Sequence, residues 1–390
     1  EQRKRLLDLK KRGEENGVPG LMMVDRAEMD KMDPNVGGNF ALYSASSGIT
    51  CPYQYTIALA ENAKTNGVDF YFENEVIAVE RNADGIFDIT ASQGKFQAKW
   101  VINSAGLNSP AVAAMLGAPG YTLRMVKGEY IILDKKAGAF LNLPVYPCPD
   151  ENGIFDIHVT PTIDGNVLVG PTCDEIVSAT DFDTTRAALN KLVKNGSNLF
   201  ERMNPDWFIR NFAGIFPRLI DPDTGLEMDF TIDYKKERPN IISLLGMNSP
   251  GLTSAYPIAR RVAGIVAEEE CLQKNDQFNP CRKAIIRFAE QDNETRQTLI
   301  EENPDYGEVI CRCENVTKAE ILEALHNPLG VSSVNSIKYR TRATMGRCQG
   351  GYCETRIASI LQENMGQEKT DIRLGNRFSY MFTGEVRTCK

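Results

Sequence analysis

The sequence contains no run of about 18 apolar residues, the minimum for a helix that crosses a bilayer, so no spanning segment is expected. It also lacks low-complexity tracts and internal repeats, which sets aside disordered and solenoid architectures. Histidine and tryptophan are scarce, with two of each in 390 residues. Basic residues fall short of acidic ones, 44 Lys plus Arg against 52 Asp plus Glu, for a formal charge of -8. A surface of that sign repels phosphate backbones, so nucleic acid is not an expected partner, although a local basic patch still suits an anionic metabolite or a protein. No signal-like apolar core follows the opening Glu1-Gln2-Arg3-Lys4-Arg5, and the first residue is not Met. Export is therefore not expected and a cytoplasmic location is, with any membrane association through a partner. The chain reads as starting inside a helix, as a fragment does.

What is present is globular: 42% hydrophobic and 25% charged residues, enough for two or three cored domains. Apolar spacing predicts helices over 1–20, 55–65, 184–200, 254–272 and 281–300. Alternating or all-apolar segments predict strands at 68–72, 76–79, 85–90, 100–102, 128–133, 154–160, 166–169 and 241–245, with Asp164-Gly165 as a turn. The fold class expected is α/β (α+β), with a β-rich middle. The buried strand 241–245 feeds through Gly246 and Gly251 into a helix, the layout that binds cofactors at the carboxyl edge of a sheet.

Ten cysteines are spread along the chain, too thinly for a disulfide scaffold. Four form tight pairs: Cys311-Arg312-Cys313, and Cys348 with Cys353 across Gln349-Gly350-Gly351-Tyr352. Four thiolates from two loops suit a [2Fe–2S] centre or a tetrahedral zinc, and composition does not choose between them. Thr317 with Glu320 predicts a capping box that opens a helix over 318–325, and Cys353 begins another running to about 363. Arg312, Arg342 and Arg347 are placed to offset the negative charge of a thiolate-rich centre. His326, before Asn327-Pro328, reads as a helix C-terminal cap.

The segment Val309 to Thr317 together with Gly346 to Cys353 resembles the bacterioferritin-associated-ferredoxin-like [2Fe–2S] domain that ends some anaerobic glycerol-3-phosphate dehydrogenases and related flavoproteins. The resemblance favours the iron–sulfur centre over zinc. Residues 37–265 resemble the flavin-dependent amine and hydroxy-acid oxidoreductase family, closest to its L-2-hydroxyglutarate and glycerol-3-phosphate dehydrogenase branch. The residues that carry this are Gly48-Ile49-Thr50-Cys51-Pro52, Val101 to Gly106, Lys127 to Tyr130, His158 to Thr172, Phe212 to Arg218, and Gly251-Leu252-Thr253.

The resemblance implies a truncated FAD-binding Rossmann-like domain, a mixed β-sheet substrate domain and a small, mostly helical [2Fe–2S] domain. The expected divisions are 1–110 and 211–274 for FAD, 111–210 for substrate and 275–390 for the cluster. It places Val76, Ala105 and Gly106 beside the adenine and phosphate side of FAD, and Gly246, Met247, Gly251, Leu252 and Thr253 near the isoalloxazine. His158 is then a candidate base for the substrate hydroxyl, or a structural residue, and Lys127 and Arg218 are candidate ligands for a carboxylate or phosphate. Two departures stand out: Phe216 occupies a position where relatives often carry arginine, and no strand–GxGxxG–helix unit occurs. The expected activity is FAD-dependent oxidation of a small anionic hydroxy substrate, with electrons leaving through the cluster to a protein acceptor or partner subunit. Amine or imino-acid oxidation, a non-catalytic electron-transfer or assembly subunit, and a zinc-stabilised interaction protein are the alternatives.

Overall fold

The computed structural model of the chain describes residues 1–221 and 223–384. Its elements fall into two compact units: Glu1–Gly48 with Phe72–Asp276, and Ile49–Tyr71 with the chain from Gln277 onward.

The chain opens with α1 (Gln2–Glu15), β1 (Leu21–Asp25), α2 (Arg26–Met32) and β2 (Phe40–Ser44). β1 and β2 pair antiparallel, and α2 starts at a capping box in which Asp25 and Glu28 satisfy each other's backbone amides. After α3 (Pro52–Thr65) comes an antiparallel meander of β3 (Val76–Arg81), β4 (Phe87–Ala91) and β5 (Gly94–Ala98), then β6 (Val101–Asn103) and α4 (Ser109–Met115).

The middle is a six-stranded antiparallel sheet. It contains β7 (Thr122–Leu133), β8 (His158–Pro161), β9 (Val167–Gly170), β10 (Asp174–Ile176), β11 (Phe208–Ile220) and β12 (Glu227–Met228) in the order β12-β11-β7-β9-β8, with β10 also on β7. The one-turn α5 (Lys135–Gly138) follows β7, and α6 (Arg186–Leu199) crosses one face. Thr185 caps α6, and its Ala188, Leu192 and Gly196 recur every fourth residue as one buried stripe. A Cβ on Gly196 would stand 2.6 Å from Val169, so glycine lets the helix lie close to the sheet. Ile131, Leu133, Val159, Val167 and Val169 meet Leu192 and Phe200 there. Each such buried side chain contributes about 1.5–3 kcal/mol.

A three-stranded sheet then forms from β13 (Thr231–Lys235), β14 (Arg238–Leu245) and β6. β14 runs parallel to β6, with Ile241 opposite Val101 and Ser243 opposite Asn103, and α7 (Gly251–Glu269) follows. Among the described residues no helix is long and apolar enough to cross a membrane.

The second unit is mostly helical: α3, α8 (Asn293–Glu302), α9 (Lys318–Leu325), α10 (Val334–Thr341) and α11 (Glu354–Met365), with one small hairpin, β15 (Val309–Cys311) and β16 (Val316–Thr317). Its core gathers Ile310, Val316, Ile321, Leu325, Ile337, Ile357 and Leu361. Glu61 on α3 is buried between Arg340 on α10 and Arg282, accepting at 2.8 and 2.6 Å.

Several expected elements differ. Residues 68–72 form no strand, and Val68, Tyr71 and Phe72 stay exposed. The strand expected from 154 starts only at His158, because the Asp150 carboxylate accepts the amides of Asn152 and Ile154 and holds a turn. The helix expected over 281–300 shortens to α8, which starts where the Asp292 side chain caps the Thr295 amide. α10 lies where no element was expected.

Candidate functional site

Cys311 ends β15, and the turn through Arg312, Cys313, Glu314 and Asn315 (φ +52°) leads into β16. Cys348 lies in the second loop and Cys353 is the N-cap of α11. The loops approach closely because position 346 is glycine: a Cβ there would stand 2.2 Å from that of Cys313. Arg342, itself left-handed (φ +72°), donates from Nε to Glu314 at 2.8 Å, and both side chains are buried. That ion pair ties the chain before the second cysteine pair to the turn of the first.

The four sulfurs stand two and two. Cys313 Sγ is 3.5 Å from Cys348 Sγ, and the Cys353 thiol donates to Cys311. That hydrogen bond, helped by the amides of Thr344 and Glu314, holds the Cys311 thiol down to about 6, while Cys353, which keeps its proton to donate it, is pushed up. Amides of Tyr352 and Gly350 are aimed at Cys348. Cys311 and Cys353 are buried, whereas Cys313 and Cys348 are exposed. Among the described residues no three His, Cys, Asp or Glu side chains gather as a single-ion site. Two close sulfur pairs ringed by backbone donors fit a binuclear [2Fe–2S] centre, each iron taking two thiolates, better than one tetrahedral zinc. His326 sits apart, as the C-cap of α9.

In the six-stranded sheet, strand parity separates the candidate substrate residues. Ile131, Leu133, Val159, Val167 and Val169 point toward α6, so the alternate residues line the opposite face. His158 lies opposite Gly170, and Tyr130 opposite Phe212, so these residues form one row across four strands on that opposite face. Tyr130 and Phe212 stack with centroids 5.0 Å apart, and Tyr146 stacks on His158 at 4.2 Å. Burial drives the His158 imidazole down to about 4 and, with Tyr146 nearby, the Tyr130 phenol up to about 12. Thr160 Oγ1, two residues along β8, is buried without a partner.

Arg218, six residues beyond Phe212 on β11, shares this face; it donates to Glu227 at 3.0 Å and to Cys173 Sγ at 3.5 Å, and lies over the Phe216 ring. Arg218 is not brought up to His158, which lies three strands over and in the row of Phe212, and Lys127 is on the other face from both. It shares parity with Ile131 and Leu133 and is buried, donating to Asp181 at 2.9 Å and to the Asp183 carbonyl at 3.1 Å. The Asp181 hydrogen bond raises the Lys127 pKa. Glu129 beside it accepts from the Thr185 amide, so this cluster secures the start of α6. Tyr130, Tyr146 and Asp181 had no role assigned from the sequence; counting alternate residues back from Leu133 would have placed Lys127 on the core face.

Both parallel strands, β6 and β14, deliver loops to one sheet edge. Ala105 and Gly106 (φ +57°) follow β6, and Gly246, Met247, Gly251, Leu252 and Thr253 follow β14. Gly246 (φ +66°) leaves no room for a side chain, since a Cβ would meet Leu219 at 2.6 Å. The 19-residue α7 has no side-chain cap; the Gly251 amide donates to the Asn248 carbonyl, and the Leu252 and Thr253 amides follow it at the helix start, where a negative group is favoured. Val76 lies on the neighbouring meander, joined to β6 and β14 through α4 and the cluster of Phe87, Leu116, Val101 and Ile241. A cavity of about 770 Å³ beside α1, β1 and β2 is mostly apolar and includes none of these residues.

Comparison with known proteins finds two family models along the chain. The family model described as "FAD dependent oxidoreductase" matches residues 1–265, and "BFD-like [2Fe-2S] binding domain" matches residues 309–363. A glycerol 3-phosphate dehydrogenase of Caloramator mitchellensis is 35% identical over 388 residues, 99% of this chain and 79% of that protein. An L-2-hydroxyglutarate dehydrogenase of Escherichia coli K12 is 28% identical over 65% of this chain and 67% of its own length. The structure of an FAD-bound L-alpha-glycerophosphate oxidase from Mycoplasma pneumoniae superposes with a TM-score of 0.60 at 26% identity, covering 71% of this chain and 72% of that one.

Proposed function

The chain belongs to the FAD dependent oxidoreductase family, and on that premise we propose that it oxidises a small anionic hydroxy substrate, glycerol 3-phosphate first and L-2-hydroxyglutarate second. The observation that carries the reading is the row of His158 with the stacked Tyr130 and Phe212 on the sheet face away from α6, with the Arg218 guanidinium six residues further along the same face. With its pKa near 4, His158 is neutral at pH 7 and accepts the hydroxyl proton. Arg218 offers charge-assisted hydrogen bonds to the substrate anion, in competition with Glu227. Lys127 acts at one remove, by holding the 181–185 segment.

Ala105 and Gly106 with Gly246 to Thr253 are the proposed FAD contacts, joined by Val76, and the α7 amides favour charge on the flavin edge. Cys311, Cys313, Cys348 and Cys353 are the proposed iron ligands. FAD supplies hydride acceptance and the [2Fe–2S] centre single-electron carriage toward a protein acceptor. The nine described cysteines are all free, which suits a reducing compartment and supports a cytoplasmic assignment.

The test is anaerobic mixing of the whole protein, reconstituted with FAD and iron–sulfide, with each candidate substrate. Bleaching of flavin by glycerol 3-phosphate or L-2-hydroxyglutarate, and not by glycine or L-proline, is expected. Bleaching only by an amino acid contradicts the hydroxy-substrate assignment.

A further inference from the structure

We propose that the exposed side of the cysteine module is the docking face for an acidic one-electron carrier protein. The proposal deepens the reading above and rests on the four cysteines holding a [2Fe–2S] centre. The module is lopsided: Cys311 and Cys353 are buried in the core of their unit, while Cys313 and Cys348 open to solvent. Single-electron transfer weakens steeply with distance, so a partner must meet the protein on the Cys313/Cys348 side.

That side is basic. Tyr352, between the cysteines of the second loop, is packed against the core and carries a guanidinium within range on two counts, Arg312 at 4.4 Å and Arg356 at 4.7 Å from its ring centroid. Cation–π contact of this kind holds a flexible arginine in place while its charge stays at the surface. Arg312, Arg347 and Arg356 are all exposed. Glu354, whose carboxylate lies against Gly350, is an acidic neighbour on this side.

The sign of this rim opposes that of the molecule, whose formal charge is -8. Thiolate-ligated iron is itself negative, so a bare rim would repel an acidic partner. Deeper in, Arg342 is committed to Glu314, so that pair adds no net positive charge. The outward arginines therefore face a negative surface on a carrier, and complementarity of this sort raises encounter rates by orders of magnitude at low salt. Each encounter moves one electron from the chain to the carrier, with no bond made or broken.

Oppositely charged small oxidants test the rim directly. The holoprotein, reduced anaerobically, is mixed in stopped flow with ferricyanide or with the tris(phenanthroline)cobalt(III) cation, and the cluster's visible band is followed against ionic strength. The expected result is a ferricyanide rate that falls as salt rises, and falls about tenfold at low salt in R312Q/R356Q. R356E, on α11 and outside the cysteine loops, gives the same direction if the double variant assembles poorly. Decaglutamate should slow the ferricyanide reaction of the unsubstituted protein and shift the amide signals of Arg312, Tyr352 and Arg356. A ferricyanide rate that rises with salt, as the net charge alone dictates, or that ignores both variants, overturns the proposal and reduces the arginines to counterions of the centre. A holoprotein without [2Fe–2S] bands overturns the cluster reading, and the docking face with it.

Discussion

Replacing Glu61 by Gln removes the charge on which two arginines converge. Glu61 and Arg340 have side chains only 5% and 4% exposed, whereas Arg282 keeps 27%. Breaking a buried ion pair costs about 3–5 kcal/mol, because the remaining charge is left without solvent or partner. Arg282 can turn toward water, so the lower end applies, about 3 kcal/mol. For a unit of this size that corresponds to a fall in Tm of roughly 10 °C.

The protein carries its own two reporters. Both tryptophans, Trp100 and Trp207, lie in the first unit, so fluorescence follows that unit and the visible band of the cluster follows the second. The E61Q transition should shift in the visible band. In a double-mutant cycle with Arg340→Gln, a coupling of about 2–3 kcal/mol is expected. A cluster transition that moves by less than about 1 °C, or a coupling below about 0.5 kcal/mol, would refute the docking of the α3 segment onto α10.

His158 makes stability depend on pH: its folded pKa of about 4 lies below the usual 6.5, so its contribution is present above 6.5 and is lost as pH falls toward 4. Urea midpoints should report about 2 kcal/mol less stability at pH 5 than at pH 7 on this account, and His158→Gln should remove that difference. Lys127→Met should lower stability by about 3 kcal/mol, since Asp181 and Glu129 lose their cation, with little change in substrate KM. A large rise in KM at unchanged stability would instead make Lys127 an anion ligand. Gly346→Ala brings a methyl group against Cys313 and should cut iron content below about half of that in the unsubstituted protein, measured by iron analysis.

The cysteine module was legible because its chemistry is local: CxC and CxxxxC with glycines between announce two tight loops before any tertiary contact is known. The strand–glycine–helix passage at 241–269 was legible for the same reason. The face of Lys127 could have been counted from strand parity, but that of Arg218 could not, because its strand, β11, has no signal of its own and its place is set by pairing with β7. β11 itself was hidden, since Gly214 and Pro217 break its pattern; they are accommodated opposite Gly128 and Met125. Nothing near Glu61 signals a partner 279 residues away, and burial of that ion pair follows only from the packing of α3 on α10.

The most direct measurement is iron, sulfide and zinc content of the anaerobically purified whole protein, read with its visible and EPR spectra. Two irons and two acid-labile sulfides per chain, lost together when Cys313 and Cys348 are replaced by Ser, are expected for sulfurs set two and two. One tightly bound zinc, with no visible band and no signal on reduction, would contradict the account.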